Sequence, residues 1–257
     1  MGNIRILDVA QSYTHAVKPK KKLIVILAMI AGFIIATGIA LIRALLHKGI
    51  ETPDEIEAIG LPVYASVPRS DLQLKMSAKL KKGARSTNTN LLAESNPADL
   101  SIEALRGLRT SLHFAMLEAK NNIVMISGPA PGIGKSFVAT NFSAVAAKTG
   151  QKVLLVDADM RKGYLQSHLG LKWDDGLSEL LSGKLTREQV IKASPIENLD
   201  VITRGQIPPN PSELLMHPRF QEFVDWSSTH YDLVIIDTPP VLAVTDPSIV
   251  GAWLVQH

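Results

Sequence analysis

The sequence predicts an α/β fold in which a parallel β-sheet is covered by helices on both faces, with one transmembrane helix before it. Two observations indicate this fold class. Apolar runs of strand length alternate with helical patterns from about Asn96 onward, which is typical of a parallel sheet buried on both faces. A separate run near the N-terminus, residues 23–42, has neither a charge nor a proline. The predicted strands are residues 123–127, 153–157, 199–203 and 233–237.

The apolar run is long enough to span a bilayer. At about 1.5 Å per residue, residues 23–42 extend about 30 Å, which is the thickness of the hydrocarbon core. A signal peptide would have a shorter apolar core and a small-residue cleavage site. Small residues recur at every fourth position, which either favours association of two helices in lipid or reflects the ordinary composition of membrane helices. These residues are Ala28, Gly32, Ala36 and Ala40.

The stretch after the helix, residues 43–95, is predicted to be a linker. It begins with a proline-bearing segment that is too short for an independent core. Residues 70–90 are polar, with five basic residues against the single acid Asp71. The alternative to a solvated linker is weak attachment to anionic lipid.

Composition excludes several classes of site. The 257 residues carry a net charge of only +3, and the sequence shows no basic stripe interleaved with aromatic residues. A nucleic-acid partner is therefore not expected. The absence of cysteine excludes disulfides, thiolate metal sites and cysteine nucleophiles. The histidines have neither HxH nor HExxH spacing.

A glycine-rich loop follows the first predicted strand. Residues 127–136 read Ser-Gly-Pro-Ala-Pro-Gly-Ile-Gly-Lys-Ser and precede a helical pattern over residues 137–148. In this order, backbone N–H groups and the helix N-terminus face phosphate oxygens, Lys135 neutralises their charge and Ser136 offers its hydroxyl to Mg²⁺. Pro129 stands where the strict motif has glycine, so the loop is a variant P-loop, and the fold is predicted to be of the P-loop NTPase type. The predicted ATP-binding residues are Gly128, Gly132, Ile133, Gly134, Lys135, Ser136 and Phe137.

Three carboxylates follow two of the other predicted strands. Asp157 and Asp159 come at the end of one strand, and Asp237 at the end of another. Ligands of open parallel sheets bind beyond the carboxyl ends of the strands, so these acids are expected beside Lys135 and Ser136. There they can hold Mg²⁺ through oxygen and water ligands, and one of them can orient or deprotonate an attacking hydroxyl.

The predicted ATP site conflicts with the charges that flank the membrane helix. Four lysines precede the helix, while only Arg43 and Lys48 closely follow it, and the positive-inside rule would put the N-terminus in the cytoplasm. ATP is cytoplasmic, so we expect the opposite orientation, with residues 1–22 outside the cytoplasm. Segments upstream of this sequence can determine that orientation.

Taken together, these residues resemble the bacterial tyrosine kinases of Gram-negative exopolysaccharide and capsule export. The resemblance extends to about Gly251, and the membrane helix with its Lys-Pro-Lys-Lys lead-in looks like the second of the family's two. Besides the P-loop, the segments that carry it are Glu103-Ala-Leu-Arg106-Gly-Leu-Arg109-Thr, Asp157-Ala-Asp159-Met-Arg161-Lys-Gly-Tyr164, Gly205-Gln-Ile-Pro-Pro-Asn-Pro-Ser-Glu-Leu-Leu215 and Asp237-Thr-Pro-Pro240.

The resemblance implies an autophosphorylating inner-membrane enzyme whose cytoplasmic domain transfers phosphate from Mg-ATP to tyrosines of neighbouring copies. It also implies a role in polysaccharide polymerisation and export, with that machinery and a cognate tyrosine phosphatase as partners. Asp157 would activate the tyrosine hydroxyl, and Asp159 and Asp237 would organise Mg²⁺ with Ser136. The implied catalytic residues are Lys135, Asp157, Asp159 and Asp237.

Two further assignments come from the resemblance. Glu103, Arg106 and Arg109 would hold a ring of subunits, and their spacing alone places them on one helix face, which could also be an ordinary salt-bridged surface. Tyr164 resembles a regulatory phosphorylation site, where phosphate would add about −1.5 to −2 charges beside Asp157 and Asp159. The alternative is a packing tyrosine at a helix start.

The expected organisation is an extracytoplasmic juxtamembrane segment (1–22), a transmembrane helix (23–42), a cytoplasmic linker (43–95) and a kinase domain (96–257). The family has a further membrane helix and a periplasmic domain before these segments, and further strands with a tyrosine-rich tail after them. The chain has four tyrosines and no such cluster, so the kinase domain is expected to be incomplete at its C-terminus.

Two rival functions stay open. Partitioning ATPases of the same fold carry a lysine five residues before the P-loop lysine, where this chain has Ala130, and they usually lack a spanning helix. A non-enzymatic polysaccharide assembly factor, in which nucleotide controls oligomerisation, is the second rival.

Overall fold

The computed structural model describes residues 19–46, 50, 52–81, 90–117, 119, 121–172 and 174–255. The chain divides into two compact units, Met1–Pro62 and Val63–His257. The first of these contains helices α1 (Lys21–Leu46) and α2 (Pro53–Glu57). Most of the predicted segment 1–22 lies outside the described residues.

Helix α1 contains the whole of the apolar run. Its span Lys21–Arg43 has a mean hydropathy of 2.7 and no buried residues, and by length and composition it could cross a membrane. Large apolar side chains such as Phe33 and Ile34 are exposed along it. A helix that is apolar all round and unburied by its own chain requires an apolar environment from elsewhere.

The second unit is built on a β-sheet. Among the described residues the sheet has five strands in the order β1-β5-β2-β4-β3. Neighbours are parallel except for β3 and β4, which are antiparallel. The predicted parallel α/β sheet is therefore confirmed, and β3 was missed because two residues carry no periodic pattern. The strands are β1 (Ile123–Ile126), β2 (Val153–Asp157), β3 (Lys192–Ala193), β4 (Leu199–Ile202) and β5 (Leu233–Asp237).

Helices cover both faces of the sheet. Alternate residues of a strand point to opposite faces, and Val153 and Leu155 of β2 belong to one hydrophobic core, while Leu154 and Val156 belong to the other. The first core also takes residues of α4–α7, and the second takes residues of α8–α12. The helices are α3 (Asp71–Lys81), α4 (Leu92–Ser95), α5 (Leu100–Met116), α6 (Lys135–Ala147), α7 (Leu165–Leu169), α8 (Leu177–Leu181), α9 (Arg187–Val190), α10 (Pro211–Met216), α11 (Pro218–His230) and α12 (Asp246–Val255).

Parts of the segment predicted to be a linker pack on this unit. Leu91 and Leu92 are fully buried in the core. The hydroxyl of Ser70, next to the start of α3, donates to Asp99 Oδ2 at 2.8 Å, and Asp99 caps α5. The prediction of a linker over residues 43–95 did not include this packing. Residues 82–89 lie outside the described part of the chain.

Candidate active site

The glycine-rich loop joins the end of β1 to the start of α6. Gly134, directly before α6, has φ +105°, a backbone conformation that L side chains rarely adopt. This turn directs the chain into α6 at Lys135, so the free N–H groups of the first helical turn face the loop. Such N–H groups are a ready binding site for phosphate.

The loop is braced by the turn that follows β5. The N–H and hydroxyl of Thr238 both donate to the carbonyl of Ile126 at 3.0 Å. The N–H of Val241 donates to the carbonyl of Gly128, also at 3.0 Å. Through these bonds, the Asp237-Thr-Pro-Pro240 segment holds Asp237 in a fixed position relative to the glycine loop.

Asp237 contacts the P-loop helix directly. The Ser136 hydroxyl donates to Asp237 Oδ2 at 2.6 Å, and Asp237 is 1% exposed. Burial raises the pKa of Asp237 to about 6, against the lowering effects of the Ser136 hydrogen bond and the Lys135 charge. The other oxygen, Oδ1, is buried without a hydrogen-bond partner. A buried, unpaired acceptor beside a serine hydroxyl is suited to a cation.

Asp157 lies opposite Asp237 in the register of the parallel strands β2 and β5. It is fully buried, and its oxygens accept from the N–H groups of Asp159 at 3.2 Å and Leu165 at 3.3 Å. Burial, followed by the charge of Asp237, raises the pKa of Asp157 well above its ordinary value. The site therefore holds two acids that resist ionising together unless a positive charge is present.

Asp159 is only partly buried, and its own loop orients it. Its Oδ1 accepts from the N–H groups of Arg161 at 3.2 Å and Lys162 at 2.9 Å. The loop then passes very close to Asp157, because a Cβ placed on Gly163 would lie 2.3 and 2.5 Å from the two Asp157 oxygens. Glycine is thus required at 163 by close approach.

The structure brings Lys135, Ser136 and the three predicted acids to one edge of the sheet. Lys135 is the first residue of α6, and its charge acts on Asp237. Ile133 of the loop is 54% exposed, whereas Phe137 packs against the hydrophobic core, which leaves its backbone N–H as the group that could contact nucleotide.

The donor set fits Mg²⁺. Among the described residues, no group of three or more His, Cys, Asp and Glu side chains gathers as a metal centre. Mg²⁺ usually takes one or two carboxylates and keeps water or phosphate oxygens as its other ligands. The unpaired Oδ1 of Asp237, the Ser136 hydroxyl and the partly exposed Asp159 supply such a set.

Tyr164 stands at the rim of these acids, directly before α7. It is 52% exposed, and its ring lies 5.5 Å from the ring of His168. Partial burial and then the charges of Asp237, Asp159 and Asp157 raise the pKa of its hydroxyl. The charges of the site therefore act on this side chain, and its role as a phosphorylation site stays a prediction.

The predicted oligomerisation residues lie on α5, outside this cluster. Arg106 forms an ion pair with Glu103, and it also donates to the carbonyl of Pro97 at 3.0 Å. Arg109 lines a cavity of about 1080 Å³ together with Ile123 and Leu233, the first residues of β1 and β5. That cavity lies at the amino ends of the strands, so it is separate from the acids at their carboxyl ends.

Sequence reasoning missed one connection to the site. The Arg161 guanidinium bonds to Asp246, the first residue of α12, with an Nε–Oδ2 distance of 2.9 Å. Ser212 of α10 donates to the same carboxylate at 2.6 Å. These residues are 85 and 34 positions from Asp246 along the chain, and no local pattern connects them.

Two family models match the chain. One, "G-rich domain on putative tyrosine kinase", covers residues 1–45, and the other, "AAA domain", covers residues 121–250. The tyrosine-protein kinase wzc of Salmonella typhimurium is 50% identical over 253 residues, which is 98% of this chain and 35% of that protein. The chain therefore spans about a third of the length of this curated relative.

Two solved structures share the fold. The kinase domain of Escherichia coli tyrosine kinase ETK is 49% identical with a TM-score of 0.73, and the match covers 80% of each chain. The BceF tyrosine kinase domain is 47% identical with a TM-score of 0.73, and the match covers 80% of this chain and 83% of that domain.

Proposed function

The chain belongs to the bacterial tyrosine kinases, and from this premise we propose that it transfers the γ-phosphoryl group of ATP to tyrosine hydroxyls. The observation that carries this proposal is the meeting of the P-loop with a pair of buried acids. Ser136 bonds to Asp237, and Asp157 lies next to Asp237 in the strand register. A site of this kind both binds phosphate and supplies a carboxylate to an incoming hydroxyl.

Each residue has a role in the proposed reaction. The loop N–H groups and Lys135 bind the phosphates and offset the charge that develops on them. Ser136, Asp159 and Asp237 would hold Mg²⁺, which when bound neutralises charge on the phosphate oxygens. Asp157 accepts the tyrosine proton while the tyrosine oxygen bonds to the γ-phosphorus and the bond to the ADP oxygen breaks. Burial raises the pKa of Asp157 above its ordinary value, which makes its carboxylate a stronger base than an exposed aspartate.

The test is transfer of labelled phosphate from ATP to tyrosine by the full chain in detergent micelles. A glutamate–tyrosine copolymer serves as acceptor, so that the result does not depend on the tyrosines of the chain. We expect phosphotyrosine from the unaltered chain and none from Lys135→Met, because the phosphates lose their cation. Lys184→Met, which changes an exposed lysine in the turn after α8, is the matched control and should remain active.

The rival functions give different products in the same assay. Inorganic phosphate without phosphotyrosine would indicate an ATPase of the partitioning type. If neither product forms but ATP changes the size of the assembly, the chain is a nucleotide-controlled assembly factor. Either result would overturn the kinase proposal.

The proposal includes a homo-oligomeric ring in which one copy phosphorylates the next. The support is the exposed charged face of α5, where the side chains of Arg106 and Glu103 are 41% and 56% exposed. Joint replacement of Arg106 and Arg109 by alanine should lower the mass measured by light scattering at low salt. Replacement of Lys172 and Lys184, exposed residues on other segments, should not. An unchanged mass would show that this face of α5 does not take part in the assembly.

The same proposal places the chain in the bacterial inner membrane with its kinase domain in the cytoplasm. There it would act with the polysaccharide polymerisation and export machinery and be reset by a tyrosine phosphatase. Because the chain has no cysteine, single cysteines report topology cleanly. A membrane-impermeant maleimide should label Gly2→Cys in intact spheroplasts, and should label Gly107→Cys only after lysis. The reverse pattern would show that the flanking lysines decide the orientation.

A further inference from the structure

One buried carboxylate ties three distant segments together beside the site. Asp246, at the start of α12, is 0% exposed. It receives two bonds from the Arg161 guanidinium, from Nε at 2.9 Å and from Nη2 at 3.2 Å. It also receives the hydroxyl of Ser212 at 2.6 Å, and the same Arg161 Nη2 reaches Ser212 Oγ at 3.2 Å. The β2–α7 loop, α10 and α12 therefore meet at one side chain.

The surroundings of Asp246 favour the ionised form of its carboxyl group. Its burial would raise its pKa, but the hydrogen bonds from Arg161 and Ser212 and the charge of Arg161 outweigh that effect and lower it. A two-bond guanidinium–carboxylate pair fixes orientation as well as distance. Because the Arg161 side chain is 40% exposed, solvent weakens the ion pair, and the main effect of the pair is to fix the position of Arg161.

The backbone of Arg161 contacts a residue of the candidate site. The N–H of Arg161 donates to Asp159 Oδ1 at 3.2 Å, and the N–H of Lys162 donates to the same oxygen at 2.9 Å. Both donors belong to the short loop that the Arg161 side chain anchors. Asp159 is partly exposed, and the two hydrogen bonds to its Oδ1 come from this loop, so the position of the loop affects the direction of its carboxylate.

We propose that Asp246 and Arg161 are positioning residues that, with Ser212, aim the Asp159 carboxylate at the magnesium ion of Mg-ATP. This rests on the proposed function, since it assumes that Mg-ATP binds between the P-loop and the acids. In this proposal the pair acts through the loop between Asp159 and Lys162 and not by direct contact with nucleotide or metal. Outer partners that orient a metal ligand typically affect metal affinity by about 10- to 100-fold.

The test separates the metal-dependent part of nucleotide binding from the rest. The affinity of the full chain in micelles for a fluorescent ATP analogue is measured with Mg²⁺ and with EDTA, together with the melting temperature. We expect Arg161→Met to weaken binding about 10-fold with Mg²⁺ and to leave binding in EDTA unchanged. Arg161→Lys keeps the charge but loses the second bond, and should fall between Arg161→Met and the unaltered chain.

Two further variants keep the test informative if Arg161→Met folds poorly. Asp246→Asn preserves the shape of the carboxylate, and Ser212→Ala removes only the hydroxyl; both should raise the Mg²⁺ concentration needed for half-maximal binding. Arg219→Lys is the matched control, because the Arg219 guanidinium donates to the Leu181 carbonyl at 3.2 Å, on a different surface. It should leave the Mg²⁺ requirement unchanged.

The outcomes are distinct. Equal losses with Mg²⁺ and with EDTA, in step with a lower melting temperature, would show a purely structural pair and overturn the inference. Unchanged Mg²⁺ requirements in all the variants would overturn it as well. If the unaltered chain binds ATP no better with Mg²⁺ than with EDTA, the inference is overturned, while the proposed function is decided separately by the phosphotyrosine assay.

Discussion

Asp157 and Asp237 are paired in register at the carboxyl ends of adjacent parallel strands, and both carboxyl groups are buried. The sheet itself enforces this proximity, because residues in register on neighbouring strands lie about 5 Å apart. Burial and then the charge of Asp237 raise the pKa of Asp157, and burial, with a smaller contribution from the charge of Asp159, raises the pKa of Asp237. The acid edge is thus electrostatically unfavourable by itself, and a bound cation would relieve it.

The first prediction concerns stability. A raised folded-state pKa means that Asp237 contributes stability below its ordinary pKa of 3.8, which is lost as the pH rises through about 6. Asp237→Asn should therefore stabilise the nucleotide-free chain at pH 7.5 by about 1 to 3 kcal/mol, while abolishing phosphotyrosine formation. Melting curves without Mg²⁺ should show the gain at pH 7.5 and little of it at pH 4. The exposed Asp175→Asn is the control, and destabilisation by Asp237→Asn at pH 7.5 would contradict the burial argument.

The second prediction concerns protons released on binding. With a pKa of about 6 in the free chain, Asp237 is partly protonated near pH 6 and must ionise to hold Mg²⁺. Mg-ATP affinity should fall as the pH drops below 6, by up to about tenfold per unit. Calorimetry in two buffers of different ionisation enthalpy measures the released proton. Asp237→Asn supplies the background from the nucleotide itself, and equal proton release in both chains would refute the assignment.

The third prediction concerns the loop after β2. Gly163→Ala would place a methyl group 2.3 and 2.5 Å from the Asp157 oxygens and 2.5 Å from the Asp159 carbonyl, so the loop must shift. We expect a loss of about 1 to 3 kcal/mol in stability and at least a tenfold loss of phosphotransfer, since both acids are displaced. Urea unfolding and the phosphotyrosine assay measure these effects. Gly107→Ala on α5, with nothing within 4 Å of the added carbon, should be neutral or stabilising.

The fourth prediction concerns Tyr164. Phosphate on its hydroxyl would bring like charge to the acids whose charges already raise the pKa of Tyr164. Phosphorylation should therefore increase hydrogen exchange in the segment from β2 to α7. Tyr164→Phe retains the ring that contacts His168 and should abolish the change, whereas Tyr64→Phe, at another exposed tyrosine, should not. Phosphorylation of residue 164 without altered exchange would argue for a packing role.

Several features of this fold could be predicted because their sequence signals are local. Strand-length apolar runs predicted β2 and β5 to the residue, since strands buried on both faces are apolar at successive positions. The glycine loop was recognisable because its motif is contiguous in the sequence. Gly134, a residue of this motif, adopts the positive φ that glycine permits. The strand-end acids were predicted to converge because parallel strands share one carboxyl edge. The roles assigned to these residues stay predictions until the variants are measured.

By itself, the sequence determined the parallel α/β sheet, the apolar helix α1, and the P-loop with acids at strand ends. The tertiary structure decided that Asp237 leaves one buried oxygen unpaired, that Leu91 and Leu92 enter the core, and that Asp246 receives Arg161 and Ser212. The reason is physical. Secondary structure and turns follow from the periodicity and backbone preferences of neighbouring residues, whereas the partner of a buried polar group is set by packing between segments far apart in the chain.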